Sequence, residues 1–410
     1  MANPTRTDSN CLISSVTRRD FLFGSAAISL AAALGGSGLL AEANPKLDSK
    51  RILVGSGTPD GILSFAWDSA TGTLKPEGIA ATVSHSTWLD VSPDRRFLYV
   101  ACELDEFHGK ATGAVASFAL PDSKTGGKLT LISQVDSQGR GTCNLTTDRT
   151  GRVVICANYS GGSAASFLPT NGKLGEAVWS EHYTGYAGTA APVADRQEAA
   201  HAHFASVSPD NRFAYINDLG ADKIHIYKLD NATGKLTPAG TYAAKPGDGP
   251  RTLHFHRSGK VAYCMNELNS TVTVLTWKAA DGSLTPIQTV NLLPQGTTTR
   301  HGTITNTGCD TVLTRDGRFA YFANRGDDFL LGFHVDPESG RLTAFEKNAR
   351  TSSGGKTPRN FTLDPTERWM LVANQNSSNL SVFARDPKTG GLADKGTNIA
   401  AATPMCIVFV

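Results

Sequence analysis

Charge of one sign is what this chain lacks most clearly. Its 410 residues carry 39 Lys and Arg against 37 Asp and Glu, a formal balance of +2, and no block of five or six like charges occurs. A nucleic-acid backbone is gripped through a basic face that displaces its counterions, so nucleic-acid binding is not expected. Charged residues make up only 19% and hydrophobic ones 40%, which excludes the disordered class and leaves a compact globule. Cys is scarce at 7 and never forms a Cys-x-x-Cys pair, so no structural zinc site is expected. Gly, by contrast, is plentiful at 41 of 410, above the usual value of about 7%. With turn dipeptides recurring throughout, short strands joined by tight turns fit this composition better than long helices.

The N-terminus reads as an export signal rather than as part of the fold. Thr17-Arg18-Arg19-Asp20-Phe21-Leu22 resembles the twin-arginine signature, a Gly/Ala-rich apolar run follows from Phe23 to Leu40, and Ala41-Glu42-Ala43 offers a small-x-small cleavage site. The run approaches the roughly 20 residues of a membrane span, but its glycines and the cleavage site favour a cleaved signal over a retained anchor. The expected partner at this stage is the twin-arginine export machinery, and the expected location is periplasmic or secreted. Residues 1–43 are thus assigned to the signal and 44–410 to the folded domain. Six Cys remain after cleavage: Cys102, Cys143, Cys156, Cys264, Cys309 and Cys406.

Within the remaining chain a turn followed by an aromatic or aliphatic run recurs six times. The copies begin at Ser92, Asp148, Ser208, His256, Thr314 and Asp364, with spacings of 56, 60, 48, 58 and 50, the size of a four-stranded propeller blade. A seventh blade is split: Ile52-Leu53-Val54 through Trp67 supplies its later strands, and Met405 to Val410 its innermost strand. Joining the two ends closes the ring and protects its sheet edges. The expected fold is all-β, a seven-bladed β-propeller.

Fixed offsets from each turn then name the residues around the axis. Five positions back lie Thr87, Cys143, His203, Arg251, Cys309 and Arg359; seven back lie His85 and His201; eleven forward lie Glu103, Tyr159, Leu219, Glu267, Arg325 and Gln375. The preceding position is Asn158, Asp218, Asn266, Asn324 or Asn374, a monotonous choice that reads as a turn device. The ring positions are not monotonous. Single His, Arg and Glu residues at equivalent sites of a repeat are expected where one mouth of the channel carries chemistry.

Several segments at these positions resemble the seven-bladed lactonase family that includes cycloisomerase-type 6-phosphogluconolactonases and carboxymuconate lactonizing enzymes. They are Arg196-Gln197-Glu198-Ala199-Ala200-His201-Ala202-His203, Gly249-Pro250-Arg251, Asn266-Glu267-Leu268, Asn324-Arg325-Gly326 and Thr357-Pro358-Arg359. The resemblance implies a lactonase, compatible with cycloisomerase activity, whose functional residues are His201, Arg251, Glu267 and Arg325. The chain departs from the family at Ala200, where Pro is common, and at Cys309-Asp310-Thr311, where only Asp310 matches. His203, Arg359, Asp310 and Glu103 are further candidates for holding substrate.

The chemistry expected of these groups is opening of a small-molecule lactone by water. His201 or Glu267 would accept the proton, and Arg251 and Arg325 would hold a carboxylate, a phosphate or the developing oxyanion. Gly-x-Ser-x-Gly is absent beyond the signal, which favours direct attack by water over an acyl-enzyme. No cofactor or metal is expected, since a Ca²⁺ site wants several acidic or amide ligands and the ring offers mainly Arg and Cys. A metal-dependent lactonase built on His201 and His203, or a non-catalytic envelope propeller binding a ligand or protein partner, are the competing possibilities. His254 and His256 are placed on the face opposite Arg251, in packing or blade-to-blade hydrogen bonds. Finally, a four-residue turn at Asp148–Gly151 would set Cys143 opposite Cys156, close enough for a disulfide, with two buried thiols as the alternative.

Overall fold

The computed structural model describes residues 51–121, 127–186, 191–301, 304–347 and 349–410; the expected signal, residues 1–43, lies outside them. The described chain forms a seven-bladed propeller. Blade 1 pairs three N-terminal strands, Arg51–Ser56, Ile62–Asp68 and Thr73–Ala81, with the C-terminal strand Pro404–Phe409 as the innermost. Blades 2 to 7 follow in chain order, with inner strands Ser86–Val91, Thr142–Thr147, Ala202–Val207, Pro250–Phe255, Thr307–Leu313 and Pro358–Leu363. The split blade expected from the two chain ends is therefore present, with Leu53 opposite Val408 and Val54 opposite Ile407.

Both faces of each blade are covered by its neighbours, so the second strands are buried along their whole length rather than on alternate residues, as in Phe213–Asp218 and Val261–Asn266. Apolar side chains accordingly gather at the seams. Tyr99 with Cys156 lies in the cluster between blades 2 and 3, Ile155 with Ile216 between 3 and 4, and Tyr263 with Phe322 between 5 and 6. Tyrosine hydroxyls cross three seams to a glycine carbonyl of the next blade: Tyr215 to Gly282 at 2.8 Å, Tyr263 to Gly340 at 2.9 Å and Tyr321 to Gly390 at 2.6 Å.

The repeated turn has one conformation in six blades. Its fourth residue is left-handed in every copy: Arg95, Gly151, Asn211, Gly259, Gly317 and Glu367, with φ between 55° and 73°. In each copy that residue's N–H donates to the carbonyl of the first, as Gly317 does to Thr314 at 2.9 Å. Glycine and asparagine adopt this conformation most cheaply and fill four of the six positions, while Arg95 and Glu367 hold it at a cost. The monotonous Asn and Asp residues are buried fasteners. Asn374 Nδ2, for example, reaches the Ser353 carbonyl and Ser381 Oγ.

A second repeated feature is a β-bulge in the inner strand. The ladder slips between Ser86 and Trp88, Thr142 and Asn144, Ala202 and Phe204, Pro250 and Thr252, Gly308 and Thr311, and Pro358 and Asn360. The residues skipped are Thr87, Cys143, His203, Arg251, Cys309 with Asp310, and Arg359; in blade 1 the slip leaves out Met405. The six positions counted back from the turns are thus the unpaired residues of six bulges, which re-aim a side chain while the strand continues.

Two expectations are overturned, one by the turn and one by the bulge. The Asp148 N–H donates to the Val153 carbonyl, so the turn closes two residues later than assumed, and Cys156 pairs with Leu145 rather than Cys143. Cys143 instead directs its thiol to the His203 carbonyl at 3.3 Å, and both cysteines are free and buried. The same slip at Arg251 resets the alternation beyond it. His254 therefore faces Phe204, with ring centroids 5.1 Å apart, and Asp310 at 3.4 Å, instead of lying on the opposite face. His256 does make the expected blade-to-blade bond, to the Gly317 carbonyl at 2.9 Å.

Candidate active site at the channel mouth

Just inside one mouth the axis is filled. Thr87, Trp88, Cys143, His203, Phe204, Arg251, Arg359 and Met405 leave a cavity of about 10 Å³, roughly what a single water requires.

Glu267 stands at the centre of that mouth. It follows the second strand of blade 5, where its N–H donates to the Gly249 carbonyl at 2.8 Å, and the residue is 3% exposed. Oε2 meets Arg251 Nε at 3.0 Å and Arg325 Nη2 at 2.9 Å, while Oε1 accepts from Arg196 Nη2 at 2.6 Å. Burial opposes ionisation of this carboxyl, but the guanidiniums of Arg325 and Arg251, then Arg196, outweigh it and hold it well below the usual carboxylate range. Glu267 is a fixed anion. The Arg251 guanidinium is itself buried and also donates through Nη1 to the Cys309 carbonyl.

The histidines occupy the adjoining wall. The His201 backbone N–H donates to Asp218 Oδ1 at 2.8 Å, and its ring stacks on Tyr159 with centroids 4.4 Å apart. Nδ1 lies 3.0 Å from the Tyr159 carbonyl, which can only accept, so Nδ1 carries the hydrogen. Nε2 lies 3.0 Å from Glu198 Oε1, a rim carboxylate 59% exposed that also only accepts, so this contact is a hydrogen bond only when the ring carries a hydrogen on both nitrogens. Gly220 permits this approach, because a Cβ there would lie 1.9 Å from the Ala199 carbonyl oxygen and 2.9 Å from His201 Cδ2. His203, one bulge deeper, is buried edge-on to Tyr159. Burial and then Arg251 push its pKa well below the ordinary histidine value, so it is neutral at physiological pH.

The remaining candidates divide. Arg359 and Glu103 pair at 3.5 Å from blades 7 and 2. Asp310 forms no ion pair with the mouth guanidiniums among the described residues; it ties blades together by accepting from Asn360 Nδ2 at 2.7 Å. Four guanidiniums, of Arg196, Arg251, Arg325 and Arg359, thus face the carboxylates of Glu267 and Glu103, and Asp310 adds a further negative charge near Arg251. No group of three or more His, Cys, Asp or Glu side chains with metal-binding geometry occurs among the described residues.

Residues 51–409 match the family model described as "Lactonase, 7-bladed beta-propeller". The chain belongs to this lactonase family. It is 32% identical to the 6-phosphogluconolactonase of Bacillus subtilis strain 168 over 355 residues, covering 86% of this chain and 95% of that one. It is 30% identical to the 6-phosphogluconolactonase of Formosa agariphila over 339 residues, 81% and 90% of the two chains. The solved structure of the Pseudomonas aeruginosa periplasmic gluconolactonase superposes with a TM-score of 0.79 at 34% identity, covering 88% of this chain and 98% of that one.

Two residues of this lactonase-family mouth were not singled out from the sequence. Tyr159 stood among the positions eleven beyond each turn, but a lone aromatic there carried no chemical signal. Arg196 lies in the connection between blades 3 and 4, outside the repeat, so no offset could reach it. Its only trace was its place in the segment that resembles the family.

Proposed function

We propose that this protein is an exported lactonase that opens a sugar or aromatic-degradation lactone by attack of water at the channel mouth. The observation that carries the reading is the buried Glu267 carboxylate clamped by Arg196, Arg251 and Arg325 beside the ordered His201 ring. In the proposed step, with Glu198 displaced from His201 and the ring neutral, water adds through oxygen to the lactone carbonyl carbon while the freed His201 Nε2 takes its proton. The carbonyl oxygen becomes an oxyanion facing the guanidinium cluster, where charge-assisted donors stabilise it. Collapse breaks the bond to the ring oxygen, which receives the proton back from His201, and a hydroxy acid leaves. Glu267, locked as an anion, orients the arginines and takes no proton. His203 keeps a neutral wall against the substrate.

Export is supported by the twin-arginine-like segment at Thr17–Leu22 and by the likeness to a protein described as a periplasmic gluconolactonase. Acid release followed by pH-stat across sugar and aromatic-degradation lactones tests the activity. The expected result is hydrolysis by the parent and a fall in kcat of roughly 10²–10⁴ in His201→Ala, the usual worth of a positioned proton acceptor. Failure of the parent on every lactone would replace this reading with a non-catalytic binding propeller.

A further inference from the structure

The three guanidiniums on Glu267 are not equivalent. Arg251 spends Nε on the carboxylate and Nη1 on the Cys309 carbonyl, and its side chain is 3% exposed. Arg325 spends Nη2 on the carboxylate and on the Gly308 carbonyl at 3.4 Å, and its side chain is 14% exposed. Both are also held by a carbonyl of the blade 6 inner strand. Arg196 comes instead from the connection between blades 3 and 4, is 33% exposed, and uses only Nη2, for Glu267 and for the Tyr159 hydroxyl at 3.2 Å. Its Nε and Nη1 make no hydrogen bond among the described residues, and a guanidinium presents five N–H donors in a rigid fork.

Arg196 is also fixed where it stands. Its backbone N–H donates to the Val193 carbonyl at 2.9 Å, and the neighbouring Gln197 donates through Nε2 to the Leu219 carbonyl at 3.0 Å, fastening the connection to blade 4. Two residues on, Glu198 reaches His201 Nε2. One short stretch outside the repeat therefore touches both the carboxylate and the histidine, and leaves the Arg196 side chain one-third exposed.

We infer that Arg196 is a specificity-determining residue that takes the anionic group of the substrate, a phosphate or carboxylate, while Arg251 and Arg325 serve mainly to hold Glu267 and face the reacting carbonyl. The inference rests on the lactonase reading for its kinetic arm only.

The test compares the parent with Arg196→Gln and Arg196→Lys. Isothermal calorimetry with inorganic phosphate is expected to show binding to the parent, at least about tenfold weaker binding to Arg196→Gln, and an intermediate affinity for Arg196→Lys, as loss of a charge-assisted contact requires. In kinetics, kcat/KM for a phosphorylated sugar lactone relative to the same lactone without phosphate is expected to fall at least about tenfold in Arg196→Gln. An unchanged ratio, whether or not both rates fall, assigns Arg196 to orienting Glu267 and overturns the inference. Equal phosphate affinity in parent and variant, or no binding to the parent, overturns it as well. A parent that hydrolyses neither lactone defeats the lactonase reading, and the calorimetry alone then decides the role of Arg196.

Discussion

Replacing Glu267 by Gln preserves volume and removes one charge from the most buried ionic cluster in the molecule. Arg251 and Arg325, with side chains 3% and 14% exposed, are left facing each other and Arg196 without a counter-charge. Breaking a buried pair on one side costs about 3–5 kcal/mol, because the orphaned charge keeps its desolvation penalty. At about 2.1 cal/mol/K of unfolding entropy per residue and roughly 360 folded residues, this amounts to a drop in Tm of about 4–7 °C. Scanning calorimetry at pH 7 measures it. Adding Arg325→Gln to Glu267→Gln removes one of the repelling cations, so the double variant is expected to recover part of the loss, a coupling that a purely steric defect would not show. The pH dependence has a definite sign. A carboxyl whose folded pKa is depressed contributes its full stability above its ordinary value of about 4.3 and loses it as pH falls toward the depressed one. The gap between parent and Glu267→Gln therefore narrows below about pH 4. A Tm within 1 °C or so of the parent, or a gap that stays constant from pH 7 to pH 3, would refute the account of Glu267 as a buried anion holding the arginines.

Three shorter predictions follow from other parts of the chain. Gly317→Ala introduces a side chain at φ 73° with its Cβ 2.5 Å from His256 Nε2, so left-handed strain and the clash together are expected to cost about 2–4 kcal/mol, read as a lower denaturant midpoint with an unchanged slope. The six cysteines are free and buried, so a reducing agent is expected to leave Tm unchanged, and a shift of several degrees would reveal a bridge. Arg18→Lys combined with Arg19→Lys is expected to retain the chain in the cytoplasm, whereas the parent is expected in the periplasm with an intact mass beginning after Ala43; a periplasmic mass that includes the apolar run would contradict the cleaved signal.

The propeller was legible because its turn chemistry repeats. A Ser, Thr or Asp opens five of the six repeated turns and His256 the sixth, and the C-terminal apolar run supplies the strand that the N-terminal blade lacks. The ring of side chains was legible for a different reason from the one that suggested it. Simple alternation of faces does not produce it; the same bulge in every inner strand does, and a fixed offset from the turn happens to land on the bulged residue. A turn that closes at Val153, two residues later than expected, keeps Cys156 from facing Cys143, and the bulge at Arg251 resets the alternation at His254. Arg196 was illegible because a connection between blades obeys no period, and the clamp on Glu267 was illegible because its three arginines come from a connection and two different blades. Repetition carries the scaffold into view, whereas the chemistry depends on residues that break it.

The closure of blade 1 sets a timetable for synthesis. The strand Arg51–Ser56 is among the first parts of the folded domain to be made, and its partner Pro404–Phe409 is the last. At roughly 5–20 residues per second the chain between them takes on the order of 20–70 s to appear. Throughout that interval one edge of the first strand has no neighbour and offers a template for pairing with other chains. Every newly made molecule passes through a stage in which six blades are complete and the ring is open, so the last half-dozen residues act as a latch. A premature stop before Pro404 removes little mass yet leaves that edge permanently unpaired, and such truncations are expected to accumulate as aggregates rather than as a slightly shortened protein.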